Sequence, residues 1–294
     1  VFSNLTGGSW TAARRFEHGL APSDLCPRCK KAPETAWHRF WKCECNEEID
    51  DPRVQTTREL CRIALDDTEN ECFWTRGIVA ASWIEIQPSK YVVVRLGHLQ
   101  HNDTYPGGHA FVDGSGGEFS SDKRLRRVGW GVSFVSGSHG TPARHQGGAF
   151  GTLHDLTQTV NLAELYAAGQ ALWLSDPAEP LHIWSDSAYF VKMQAKGKKA
   201  CIQTRHGLYW RRYYELLEAR TAAVTVHKVK AHEGLEELVS QSIDVFELSG
   251  NKIADALAQH GADLHKPSVE EIDRVRDTDE LAGKVISRQL AINQ

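Results

Sequence analysis

From residue 109 onward, short alternating or continuous apolar runs are separated by longer stretches with helical spacing. Residues 109–113 (His-Ala-Phe-Val-Asp) read as a strand that stops at Gly114-Ser-Gly-Gly117, and residues 128–135 alternate as a second. Residues 147–150 give a weaker third, 181–186 a fourth and 223–229 a fifth. Good helix formers fill 161–174, which Ser175-Asp-Pro177 closes, and two further helices are expected over 209–220 and 250–261. Three strands, then helix, strand, helix, strand and helix, predict an α/β fold with a five-stranded mixed sheet and flanking helices.

The N-terminal part has another texture. Residues 1–75 show no strand alternation, and one helix is expected over 51–73 with Val54, Leu60, Ile63 and Ala64 on its apolar side. Turn signals at Gln87-Pro-Ser89 and Tyr105-Pro-Gly-Gly108 place a boundary near residue 105. The expected organisation is therefore a small segment and helix at 1–75, a linker at 76–104, an α/β domain at 105–263 and a tail at 264–294. In that tail Ser268 and Glu271 have capping-box spacing, so a loosely attached helix is expected.

Composition changes this picture little. Hydrophobic content of 41% and charge of 24% are ordinary for a globular chain of 294 residues. The net charge of −4 does not advertise nucleic-acid binding, but local patches rather than averages decide such contacts. No apolar run approaches the roughly 20 residues that span a bilayer, so no membrane partner is expected. The opening Val1-Phe-Ser-Asn-Leu5 has neither an initiator Met nor a signal-peptide pattern and reads as part of something longer.

Cysteines alter the reading more. Four of the seven lie within twenty positions, which favours a metal site in a reducing, intracellular setting over a disulfide framework. Cys26-Pro-Arg-Cys29, His38 and Cys43 have the donor types and spacing to wrap one tetrahedral zinc, with Cys45 an alternative to Cys43. This small helical zinc-binding segment centres on residues 26–45.

Acidic residues supply the second candidate chemistry. Asp113 and Asp186 both end strands, each sharing a strand face with an aromatic, Phe111 and Trp184. A lone aspartate there is commonly a turn former; two at equivalent strand ends ask for another explanation. Glu164 is followed at i+3, i+4 and i+7 by Ala167, Ala168 and Ala171, a small-residue stripe that would let its helix approach a sheet closely. Asp255 is likewise surrounded by apolar helix positions. Four such carboxylates would repel one another unless they shared cations, and all-oxygen donors suit Mg2+ or Mn2+. Two ions about 3.5–4 Å apart would clamp a phosphodiester, one activating water and one stabilising the leaving oxygen.

The stretches Val112-Asp-Gly-Ser-Gly116, Asn161-Leu-Ala-Glu-Leu165, Ile183-Trp-Ser-Asp-Ser187 and Gly250-Asn-Lys-Ile-Ala-Asp-Ala-Leu-Ala258 resemble the type 1 ribonuclease H family in order and context. The resemblance covers about residues 105–263. It implies hydrolysis of the RNA strand of an RNA–DNA hybrid, leaving a 5′-phosphate and a 3′-hydroxyl. It also implies that Asp113, Glu164, Asp186 and Asp255 hold two metal ions. Asn161 matches a position that contacts the hybrid near the 2′-hydroxyl, and Ser115, within the first motif, is a further candidate contact. His232, in Val-Lys-Ala-His-Glu-Gly, stands where the family carries a mobile histidine that assists proton movement or product release; the alternative is a solvated loop histidine. The sequence departs from compact members in a long connection over 235–249, and Ala188 stands where some members have a polar hybrid contact.

Residues 196–230 hold nine Lys or Arg, among them Lys198, Lys199 and Arg211, with Tyr209, Trp210, Tyr213 and Tyr214 interleaved. Such a stretch suits phosphate contact and stacking, although the aromatics fit equally an amphipathic helix with a buried side. The cysteine segment, with Pro-Glu-Thr-Ala-Trp-His38 and Trp41-Lys-Cys43, resembles the zinc-binding segment that follows the reverse transcriptase in non-LTR retroelements. The whole chain thus resembles the C-terminal part of a retrotransposon-type polyprotein, with the polymerase part as a possible partner. Two rival readings stand beside the hybrid nuclease. One is a silent fold that binds nucleic acid or tethers a polymerase. The other is an exonuclease or strand transferase with a similar acidic site.

Overall fold

The computed structural model describes residues 6, 8–84, 90–97, 104–154, 157–230 and 244–294. The chain divides into two compact units, one from residues 1–85 and 268–294, the other from 86–267.

In the first unit, helices α1 (Ala12–Glu17), α2 (Pro52–Gln55), α3 (Leu60–Asp66) and α4 (Glu71–Arg76) accompany a π-helical turn at His38–Lys42. The single helix expected over 51–73 is broken. Thr56 and Thr57 turn their hydroxyls back onto the carbonyls of Pro52 and Arg53, which competes with continuing the helix. Asp67 ends α3, and its carboxylate accepts from Asn70 and from the Trp74 indole. Ile63, expected on the apolar side, is exposed, whereas Val54, Leu60 and Ala64 are buried.

The second unit contains β1 (Val93–Gly97), β2 (Gly108–Ser115), β3 (Gly129–Ser136), β4 (Arg144–Thr152), α5 (Val160–Leu174) and β5 (Leu181–Ser185). It continues through α6 (Ala188–Ala195), α7 (Lys198–Ile202), α8 (Gly207–Glu218), β6 (Val224–Lys228) and α9 (Val245–Asp263). The sheet is mixed and has six strands, ordered β1-β4-β3-β2-β5-β6, rather than five. The extra edge strand β1 comes from the stretch expected to be linker; it pairs antiparallel with β4, and Tyr105 donates its hydroxyl to the Leu96 and Gly148 carbonyls. Its five residues Val-Val-Arg-Leu-Gly are too few for alternation to stand out in the sequence.

The pleat sorts the two sheet faces. Ala110 and Val112 of β2 enter the large core with Ala167, Ala168 and Ala171 of α5. Phe111 turns the other way, into a cluster with Trp184, Phe246 and Ala254. On that second face α9 lies directly on the backbone of β3. A Cβ at Gly131 would stand 2.5 Å from the Ala258 nitrogen, and one at Gly129 2.0 Å from the Ala262 nitrogen.

The tail is not loosely attached to its own unit. Helix α10 (Val269–Ile292) has the full capping box at Ser268 and Glu271 and buries Ile272, Val275, Ala282, Val285 and Arg288. Ala282 and Val285 pack with Phe40, Trp41, Phe73 and Trp74. Among the described residues no helix is long and apolar enough to cross a membrane.

Candidate active site

Asp113, Glu164 and Asp186 reach one another from three elements. Asp113 lies near the end of β2, opposite Gly131 of β3, and Asp186 directly follows β5, which runs parallel to β2. Parallel pairing is what carries both aspartates to the same end of the sheet. Glu164 comes from the second turn of α5. That helix can sit close because Gly114 has no side chain: a Cβ there would meet the Ala163 methyl and the Glu164 nitrogen, both at 2.8 Å. One carboxylate oxygen from each of the three acids lies within 4.8 Å of the others. Asp255, on α9, is outside this trio, yet its charge adds to the field at Asp113.

The electrostatics of the trio are unfavourable as they stand. Asp113 and Glu164 are 6% and 5% exposed. Burial first, and the Asp186 charge second, push the Asp113 carboxyl up to about 8, against a hydrogen bond of 2.7 Å from the Gly114 amide. Glu164 is raised well above its ordinary value by burial and then by Asp113 and Asp186. Among the described residues the three carboxylates accept only from the Gly114 amide, the Ser185 hydroxyl and the Asn251 side chain, none of them cationic; Lys228 donates to the Asp186 main-chain carbonyl instead. Acid-only donors of this kind fit a hard divalent ion.

Two neighbours escaped sequence reasoning. Asn251, 6% exposed, donates its side-chain amide to Asp186 at 3.3 Å, and its own amide oxygen is buried without a described partner. Its signal was available: it precedes Asp255 by four residues, hence shares its helix face. Ser185 stands 3.5 Å from Glu164.

The remaining candidates divide. Asn161, one turn before Glu164, is exposed. Ser115 donates to Gln259 of α9 at 2.8 Å. Lys198, Lys199 and Arg211 are exposed, and Lys198 is paired with Glu218 at 2.8 Å. Trp210, Tyr213 and Tyr214 are core residues, so the buried-side reading of α8 holds for them. His232 and most of the 235–249 connection lie outside the described residues.

Residues 109–263 match the family model described as RNase H, more than half of the chain. The chain belongs to the RNase H family. Among solved structures, it is similar to the RNase H domain of PFV in solution, with 18% identity and a TM-score of 0.39 over 53% of this chain and 94% of that one. No curated protein matches the chain. For an RNase H chain, the acidic trio is placed on the sheet end where β2 and β5 stop, and it lies inside the matched span.

In the other unit, Cys26, Cys29, His38 and Cys43 bring their donor atoms within 4.8 Å of one another. Cys29 Sγ lies 3.2 Å from His38 Nε2, and the Cys26 and Cys43 sulfurs are 3.9 Å apart. Cys43, rather than Cys45, joins the group. The flanking loops are tied by Arg28, which donates to the Asn46 side chain and the Arg39 carbonyl. Burial pushes the Cys43 thiol up to about 12 and holds His38 below its ordinary value. Three sulfurs and one imidazole at these separations fit a tetrahedral zinc.

Proposed function

We propose that this chain is a metal-dependent endonuclease of the type 1 class that cuts the RNA strand of RNA–DNA hybrids, leaving a 5′-phosphate and a 3′-hydroxyl. The observation that carries this reading is the convergence of Asp113, Glu164 and Asp186 within 4.8 Å, two of them buried and none offset by a described cation. With Asp255, they would hold two Mg2+ or Mn2+ ions, which when bound supply water activation and stabilisation of the leaving oxygen. Asn251 orients the Asp186 carboxylate. Asn161, exposed beside Glu164, would read the 2′-hydroxyl, with Ser115 as a second contact. Lys198, Lys199 and Arg211 would meet phosphates, and His232 would handle a proton at the leaving group or assist release.

For the first unit we infer a structural zinc on Cys26, Cys29, His38 and Cys43, and a place after a reverse transcriptase in a retroelement polyprotein. What supports the latter is the cysteine-segment resemblance beside an RNase H domain. The test is incubation with labelled hybrid, duplex RNA and duplex DNA, with and without Mg2+. Mg2+-dependent cleavage confined to the RNA of the hybrid is expected, and Asp186→Asn should abolish it almost completely while hybrid binding persists. Binding without cleavage by the wild type would favour the silent module; cleavage at wild-type rate by the variant would remove Asp186 from the site.

A further inference from the structure

Helical spacing sets Tyr166, Gly169 and Trp173 on the side of α5 opposite Ala167, Ala168 and Ala171, which pack on the sheet. With Leu208, Tyr209 and Arg211 of α8 they line an open groove of about 500 Å³. That lies within the range of ligand sites, about 300–1,000 Å³. The two helices run side by side in the same direction. The Tyr166 and Tyr209 rings are 6.2 Å apart near the start of both, and Arg220, just past α8, donates to the Leu172 carbonyl near the end of α5. The groove therefore opens beside Tyr166, two residues past Glu164, and runs towards Trp173.

Its lining joins flat apolar surface to positive charge. Gly169 leaves the floor open, since a Cβ there would meet nothing within 4 Å. Trp173 and Leu208 stand 49% and 74% exposed along it, adjoining apolar surface that the fold does not cover. Arg211 and Arg212 line the groove, and the Arg95 guanidinium of β1 lies over the Trp173 ring, 5.4 Å from its centroid. Glu215 is the one acid among the described lining residues, and it pairs with Arg212 at 3.5 Å, so Arg95 and Arg211 are surplus charge. Aromatic rings interleaved with guanidinium groups complement a strand whose bases are unpaired: rings take bases of any identity, and arginines take phosphates. A duplex cannot use the rings in this way, because its bases are stacked on one another.

We propose that the groove between α5 and α8 binds single-stranded nucleic acid, with bases on Trp173 and Tyr209 and phosphates on Arg95, Arg211 and Arg212. It shares α5 with Glu164, so an unpaired extension of a nucleic acid held at the carboxylates is the nearest source of such a strand. Its recognition groups include neither the acidic trio nor the cysteine cluster, and binding there needs no metal ion. This refines the phosphate role given to Arg211 and holds whether or not the carboxylates cleave a hybrid.

The experiment is fluorescence anisotropy of a labelled oligodeoxythymidylate titrated with full-length Asp186→Asn protein, without added divalent metal. The probe holds no RNA, so loss of this binding and loss of hybrid cleavage are separately visible. Binding in the micromolar range is expected, with log affinity falling against log salt at a slope of about −2, from three phosphate contacts at about −0.7 each. Trp173→Ala should weaken it about tenfold by removing one stacking surface, and Gly169→Leu, which fills the floor, by about the same factor. Neither side chain belongs to the hydrolytic site, so in the wild-type background both variants should cleave a blunt hybrid at the wild-type rate. An excess of blunt hybrid should leave the oligodeoxythymidylate bound. No binding by the parent protein, full displacement by blunt hybrid, or undiminished affinity in both variants would each overturn the proposal. So would a dimer that Gly169→Leu dissolves, because a second copy of the chain would then be the occupant.

Discussion

Replacing Gly131 by alanine adds one methyl group where the structure has no room for it. The new Cβ would lie 2.5 Å from the Ala258 nitrogen, 2.6 Å from the Ala254 oxygen and 2.8 Å from Leu257 Cβ. Two of these three are backbone atoms of α9, so no side chain can swing aside, and the helix must recede by roughly 1 Å. It is pinned on either side of that point: Gly129 meets the Ala262 nitrogen, and Gly261 meets the Gly151 carbonyl, at separations that also exclude a Cβ. Overpacking of this kind costs about 1–3 kcal/mol, and a pinned helix puts Gly131→Ala at the upper end, near 3 kcal/mol. Because Gly131 pairs with Asp113 while α9 carries Asp255, the same displacement separates two proposed ligands. A shift of about 1 Å at a reacting centre costs on the order of 100-fold in rate. The internal control is Gly169→Ala on α5, where an added Cβ meets nothing within 4 Å. There the substitution should stabilise by about 0.5–1 kcal/mol through helix propensity and leave cleavage unchanged. Urea unfolding followed by circular dichroism, and kcat/KM on one defined hybrid, measure both. If Gly131→Ala matched the wild type in stability and rate, the close seating of α9 on β3 would be wrong.

Three further outcomes are expected. Arg288, 1% exposed, donates to the Phe40 and Val54 carbonyls and the Thr57 hydroxyl, so Arg288→Met should cost about 3 kcal/mol by orphaning buried acceptors, and Lys should not restore it; equal melting temperatures would contradict this. Purified protein should retain about one tightly held zinc after dialysis, lost with the order of its cysteine segment in Cys26→Ser; metal analysis showing no zinc in an ordered wild type would refute the site. Burial sets the His265 imidazole down at about 4, with its Nε2 donating to the Val128 carbonyl and its Nδ1 lacking a described partner. The unfolded chain, titrating near 6.5, then binds more protons than the folded one, so this contribution is whole above about pH 6.5 and is lost as pH falls towards 4. For a half-buried ring that is worth about 1–2 kcal/mol, and His265→Gln should flatten the acid limb of stability against pH; an unchanged limb would show that His265 does not set it.

Much of the α/β unit could be read along the chain because its signals are local. Strand alternation and helix periodicity depend on neighbours a few residues away, and β2, β3, α5, β5, β6 and α9 fall where those patterns lie. Asp113, Glu164 and Asp186 were legible for a related reason: each sits at a fixed place in its own element, a strand end or a small-residue helix face. The short edge strand β1 was not legible, since five residues acquire strand character only by pairing with β4. Nor was the break of 51–73, which depends on hydroxyls returning to backbone carbonyls rather than on hydrophobic spacing. The two compact units also depend on non-local packing: α10 is far from residues 40–74 in sequence, and only burial of Val285 and Arg288 among them assigns it there. A histidine pair on β5 and β6 is the clearest case. His182 and His227 are 45 positions apart, and parallel register alone brings their nitrogens to 3.2 Å. Sequence by itself determined most elements of the α/β unit and where in each an acid sits; strand pairing and helix seating decided which of those groups meet, because distance between side chains is a property of the packed sheet.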